Sequence, residues 1–123
     1  MRRKQADMVG DHGCPARAVG LYQEAVALFQ AVGDRTLVAM GLDGVAASLA
    51  TQGQVGRAAR LLGAAAALRA AIGVALAPDD SARHERVVAT TRAALREDTF
   101  QRAWAEGQHL SLEEAVAEAT EAT

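Results

Sequence analysis

The sequence predicts an all-α fold, antiparallel helical hairpins stacked side by side and closed by a three-helix cap at the C-terminal end, and three observations carry that reading. The first is an internal repeat: RAARLLGAAAALRAAIG, Arg57 to Gly73, lies forty residues after RAVGLYQEAVALFQAVG, Arg17 to Gly33. Identities fall at Arg17/Arg57, Ala18/Ala58, Leu21/Leu61, Ala25/Ala65, Ala27/Ala67, Leu28/Leu68, Ala31/Ala71 and Gly33/Gly73. The second is periodicity, since Ala58, Leu61, Leu62, Ala65, Leu68 and Ile72 recur at the i, i+3, i+4, i+7 spacing that makes one broad stripe on a helix. The third is punctuation: both copies stop at a glycine, the usual left-handed residue that ends a helix. A repeated helix with one apolar stripe cannot bury that stripe alone, so the copies imply an array in which each helix covers its neighbour.

In chain order, residues 1–13 are polar and aperiodic and read as a flexible leader, followed by one helical domain over 14–123, with repeat helices in 14–73 and cap helices in 79–122. Helix one is expected from Pro15, a residue favoured at the first helical position, to Val32. Gly33-Asp34 is a turn in which Asp34 can cap helix two. Helix two then presents Val38, Leu42, Val45 and Leu49 on one face, while Gly41, Gly44 and Ala46 let another backbone come close. Gly53 breaks it, and helix three follows from Val55 to Ile72, antiparallel to helix two because the connection is short. Val74 to Pro78 reads as an extended linker, with Asp79 or Asp80 capping a fourth helix over 81–96 that buries Val87, Val88, Thr91, Ala94 and Leu95. A short fifth helix carries Phe100, Ala103 and Trp104, with Trp104 expected in the cap core. The sixth opens on a capping box, Ser111 with Glu114, and buries Leu112, Ala115, Val116 and Ala119.

Composition bounds the function. Half of the residues are apolar (50%) but only 3% are aromatic, so the helices must pack through small side chains. A formal charge of −2 gives no general attraction to nucleic acid or anionic membrane. Arginines nevertheless crowd the middle of the chain, and a strip of Arg57, Arg60, Arg83, Arg86 and Arg92 leaves open the alternative of a nucleic-acid accessory. The single cysteine, Cys14, excludes an internal disulfide and suits a reducing, cytoplasmic setting. Leu61 to Ala77 is the most apolar window, but Arg69 interrupts it and it is too short to span a bilayer.

The motifs of chemistry are missing. His12, His84 and His109 stand far apart, outside any metal-ligand spacing, and read as surface histidines. Cys14 near His12 lacks anything to hold base against nucleophile, and neither glycine-rich phosphate signature is present, so no metal, cofactor or catalytic residue is expected. Asp79-Asp80 are explained by capping, and Phe100 with Trp104 by packing. A small enzyme stays open only as an alternative without a constellation behind it.

Leu42, Val45, Ala46 and Leu49, then Gly53, then Ala58, Leu62 and Ala65 give a hairpin that resembles a tetratricopeptide repeat, with Ala18, Tyr22 and Ala25 similar to the second helix of a preceding unit. The forty-residue period exceeds that family's about 34. The longer unit is similar to the repeats of bacterial LuxR- and MalT-type transcriptional regulators and of related predicted ATPases. The segment from Gly56 through Phe100–Gly107 (Phe-x-x-x-Trp-x-Glu-Gly) and Leu110–Ala115 (Leu-x-x-Glu-Glu-Ala) resembles their extreme C-terminal end. That resemblance implies a sensing or relay segment, either the tail of such a regulator or a stand-alone remnant of one. It carries over neither ATP nor DNA binding, because no nucleotide-binding module or helix-turn-helix segment occurs in the sequence.

The resulting expectation is a non-enzymatic interaction module with a protein or peptide partner. The resemblance places a partner groove on helix two, at Met40, Asp43, Ala47, Ala50 and Thr51. Asp43 and Ala47 there supply the opposite of what a clamp for a terminal carboxylate requires. The repeat adds a second surface: helix one shares the register of helix three yet has only an aperiodic leader before it. Its open edge, Val19, Leu21, Val26 and Leu28, is the expected self-association face of a homodimer.

Overall fold

The computed structural model describes residues 15–121, and among these it is all-helical, with no strand. The helices are α1 (Pro15–Val32), α2 (Arg35–Thr51), α3 (Val55–Ile72), α4 (Pro78–Ala94), α5 (Glu97–Gln108) and α6 (Leu112–Thr120). The leader, with His12 and Cys14, lies outside the described residues. No described helix is long and apolar enough to cross a membrane.

One turn design is used three times. Gly33, Gly53 and Gly73 all have positive φ (85°, 87° and 72°), which only glycine adopts without steric cost. The amide after each glycine donates to a carbonyl one turn back: Asp34 to Phe29 at 3.1 Å, Gln54 to Leu49 at 2.9 Å and Val74 to Arg69 at 3.0 Å. These bonds satisfy carbonyls the helix end would otherwise leave orphaned. Asp34 caps α2 as expected, its Oδ1 accepting from the Leu37 amide at 3.1 Å. The capping box of α6 also forms, Glu114 donating its amide to Ser111 Oγ at 3.0 Å while its carboxylate accepts from the Ser111 amide at 2.8 Å.

The start of α4 differs from the expectation. It begins at Pro78, with Ala77 at the capping position and no side-chain cap. Asp79 and Asp80 lie inside the first turn rather than before it. Proline's fixed φ suits the first helical position, and the two carboxylates then face the positive end of the helix dipole instead of bonding its amides. The other end falls short of 96: Ala94 is the last helical residue and is exposed.

The main core cluster runs through Val19 and Val26 of α1, Val38, Leu42, Val45 and Leu49 of α2, Ala58, Leu61, Leu62 and Ala65 of α3, and Ala115, Val116 and Ala119 of α6, with a smaller one between α3 and α5. Small residues set the spacing. A Cβ on Gly41 would strike Val26 of α1, and one on Gly44 would strike the Tyr22 ring, so α2 can approach α1 only with glycine there. The same device joins α3 to α5: Gly63 receives the backbone of Trp104, and Gly107 lies on the Arg60 carbonyl. The indole of Trp104 is consequently only half-buried, while Phe100 and Ala103 of α5 are buried against Ala59. Thus α5, not α4, is the next layer after α3. Helix α4 lies over α2, α3 and α5 on one flank, and α6 turns back across α1, α2 and α3.

Side chains from distant helices cap the end of α6. Gln23 of α1 donates to the carbonyls of Ala119 (3.0 Å) and Glu121 (2.9 Å), and Arg57 of α3 donates to those of Glu118 and Glu121 (2.8 Å each). Three of the last carbonyls thereby gain donors, two of them from a guanidinium whose charge also suits the negative end of the helix.

Candidate functional site

The residues expected to form a groove on helix two are only partly brought together. Met40, Asp43 and Ala47 line a hollow of about 190 Å³, walled also by Tyr22, Leu62, Leu76, His84 and Val87. Ala50 and Thr51 are not part of it. They lie on a later turn, where the Thr51 hydroxyl donates to the Ala47 carbonyl at 3.0 Å. The far wall of the hollow is the chain's own α4, which occupies much of the face of α2 that the sequence left open.

Asp43 is not a groove acid awaiting a ligand. Arg69 of α3, 8% exposed, donates to its Oδ2 at 2.6 Å. On the other side His84 Nδ1 stands 3.5 Å from Oδ1, both atoms buried and short of hydrogen-bond geometry. Asp43 therefore ties α2 to α3 and faces α4, which makes it a structural residue. His84, expected on the surface, is half-buried because its position on α4 points at that carboxylate. No local signal marks either pairing, since Arg69 belongs to the repeat and has Phe29, not a base, as its counterpart in the first copy. Chemically the hollow is a largely apolar pocket with two ion-paired carboxylates at its wall, Asp43 with Arg69 and Asp80 with Arg83. Among the described residues no group of three histidines, cysteines or acids is placed to hold a metal.

The arginine strip is engaged within the chain. Arg57 meets Glu118 at 3.0 Å, Arg60 meets Glu118 at 3.3 Å and Glu106 at 3.4 Å, and Arg83 meets Asp80 at 3.3 Å. Arg92 grips Glu97 through two bonds of 2.9 and 2.8 Å while lying over the Phe100 ring at 4.8 Å. Three of the four partner acids, Glu97, Glu106 and Glu118, come from the last third of the sequence, and four of the five strip residues have a carboxylate beside them.

The expected self-association face divides. Val19 and Val26 are buried, 1% and 0% exposed, because at 100° per residue they share the arc of α1 that meets α2 and α6. They are core residues and cannot belong to an exposed surface. Leu21 and Leu28 are open, at 48% and 65%, and Val32, which the expectation omitted, is more so at 79%. Val32 was findable as the residue one turn beyond Leu28. The bare row is therefore Leu21, Leu28 and Val32, with half-buried Ala25 among them, at spacings of four, three and four residues, as in the seam of a helix made to pack on another. Tyr22 stands at its margin, half of its surface free and its ring on Gly44.

Comparison of the chain with protein-family models, with curated proteins and with solved structures finds no match.

Proposed function

We propose that this protein is a non-enzymatic helical-repeat interaction module that docks a protein partner on the exposed row of α1. The observation that supports the reading is the bare apolar row itself: Leu28 and Val32 keep 65% and 79% of their surface open on a helix whose other face buries Val19 and Val26. Large aliphatic side chains in a continuous row are what proteins use for contact and otherwise avoid exposing. The resemblance of Phe100–Gly107 and Leu110–Ala115 to the C-terminal end of LuxR- and MalT-type regulators supports a narrower version, in which the module relays a signal within a bacterial transcriptional regulator. The nucleic-acid reading gains little from the arginine strip, since four of its five members have an acid of the same chain beside them.

The reading is tested by placing charge where the row is bare. Leu21→Glu with Leu28→Glu alters exposed positions only, so the fold should survive. The wild-type chain should associate with itself or with a partner helix at high micromolar concentration, and the double variant should sediment as a monomer. A wild-type monomer at that concentration, indifferent in sedimentation and solubility to both glutamates and to added helical peptides, would remove the reading.

A further inference from the structure

We infer that α4 is a strap that lifts off α2 and α3 while the rest of the fold stays closed, and that His84 sets how firmly it is held, the grip tightening when the imidazole is charged. Little holds this helix. Thr91 is its only fully buried residue, whereas α2 and α3 bury eight each. Val87 and Val88 are only partly buried against the core. No side chain caps its first turn, and non-helical residues set it apart at both ends, 74–77 before it and 95–96 after it. Helix α5, by contrast, is fitted to α3 backbone through Gly63 and Gly107, so α4 can move without it. The seat of α4 is also polar where it should be paired. Among the described residues three buried side-chain atoms lack a hydrogen-bond partner, Asp43 Oδ1, His84 Nδ1 and Thr91 Oγ1. His84 and Thr91, seven residues apart, share one face of α4, and Asp43 is the group that faces His84. Each of the three has given up water without gaining a bond, a cost that the closed position carries and the lifted one does not.

Charge on His84 changes that cost. Its Nδ1 stands 3.5 Å from Asp43 Oδ1. A neutral imidazole has one proton for two nitrogens, but a charged one has a proton on each, so Nδ1 is then a donor facing an ionised acceptor. The other charges around the ring balance. Arg69 of α3 holds the second oxygen of Asp43, and on α4 itself Asp80 is paired with Arg83, while Glu85 and Arg86 are exposed. Helix α1 brings only the Tyr22 phenol to the hollow, and Glu97, the acid that α5 brings to α4, is taken by Arg92. Oδ1 therefore sets the sign: charging His84 favours the closed strap. Raising pH through the range where imidazoles lose their charge, between about 5 and 8, releases it and bares the face of α2 at Met40, Asp43 and Ala47.

Native-state hydrogen exchange of the full chain, read at single amides and corrected for their intrinsic rates, tests both parts. At about pH 7.5 the amides of α4 should be at least about a hundredfold less protected than those of α3, because they open without the rest of the fold. Lowering the pH to about 5.5 should raise the protection of α4 at least about threefold in the wild type. His84→Gln, which keeps a polar side chain but cannot take up charge, should abolish that rise. Thr91→Val puts a methyl in place of the unpaired hydroxyl and should slow exchange in α4 about tenfold at either pH. Protection of α4 equal to that of α3 would overturn the inference, since α4 would then open only with the whole molecule. A pH response that is absent, reversed or kept by His84→Gln would overturn the role of His84, and unchanged or faster exchange in Thr91→Val would overturn the account of the seat.

Discussion

Arg69 of α3 donates through Nη1 to Asp43 of α2 across 2.6 Å, and the arginine is only 8% exposed. A short contact between opposite charges at this depth holds two helices in one register, and it is costly to break from either side because the surviving charge stays desolvated. Asp43→Ala should cost about 3 kcal/mol in denaturant unfolding, and Arg69→Ala a similar amount. The double variant Asp43→Leu, Arg69→Met should recover much of the loss, since removing both charges leaves none unpaired. Additive losses in the double variant would show that the two residues act independently.

The crossing of α3 and α5 rests on the absence of two methyl groups. A Cβ on Gly107 would meet the Arg60 carbonyl, and one on Gly63 the backbone of Trp104; backbone cannot swing aside as a side chain does. Gly107→Ala and Gly63→Ala should each cost at least about 1–3 kcal/mol by forcing the helices apart. At Gly56, also helical in α3, an added Cβ would stand in open space, so Gly56→Ala should stabilise by about 0.5–1 kcal/mol. Thermal denaturation of the three variants checks the contrast in sign, which helix propensity alone would not produce.

Helix positions were legible in the sequence because they depend on local signals: the glycine stops at 33, 53 and 73, Asp34, the Ser111–Glu114 box and the stripe of α3 are where the residues place them. What was not legible depends on pairs far apart in the chain. Nothing in the periodicity of α6 says that it returns to α1, yet that return decides that Val19 is core while Leu21 is bare. Asp43 read as a groove acid for the same reason, since the arginine that engages it lies on the next helix and its histidine neighbour on the one after. Repeat symmetry identified the open side of α1 correctly in kind. It misassigned the two valines because a row on a helix is one arc, and Val19 and Val26 fall on the other.

Arg57 and Gln23 hold the last turn of α6, so the loss of either should act at that end of the molecule. Arg57→Ala removes two bonds to carbonyls and the contact with Glu118, in a side chain that is 13% exposed. It should cost about 2 kcal/mol, and the amides of α6 should lose hydrogen-exchange protection before those of α2 and α3. Gln23→Ala should loosen the same turn by less, because its bonds are neutral. Uniform loss of protection across all six helices would contradict a local capping role.

The corner between α4 and α5 carries a pH response whose direction is fixed by its hydrogen bonds. Two bonds from Arg92 and a third from Gln101, at 2.7 Å, hold the Glu97 carboxyl at about 2, below its ordinary 4.5, and the pair correspondingly raises Arg92. A carboxylate whose folded value is depressed contributes its stability fully above the ordinary value and loses it as pH falls through the folded one, so the contribution should fade between about 4.5 and 2. Both side chains are open to solvent, so added salt should weaken it further. Side-chain NMR titration should place the Glu97 midpoint near 2 in the wild type and return it toward 4.5 in Arg92→Ala, with a smaller rise in Gln101→Ala because that bond is the second cause. The difference in denaturation midpoint between wild type and Arg92→Ala should narrow as pH drops across the same window. A Glu97 midpoint that ignores Arg92→Ala would show that the pair does not form in solution.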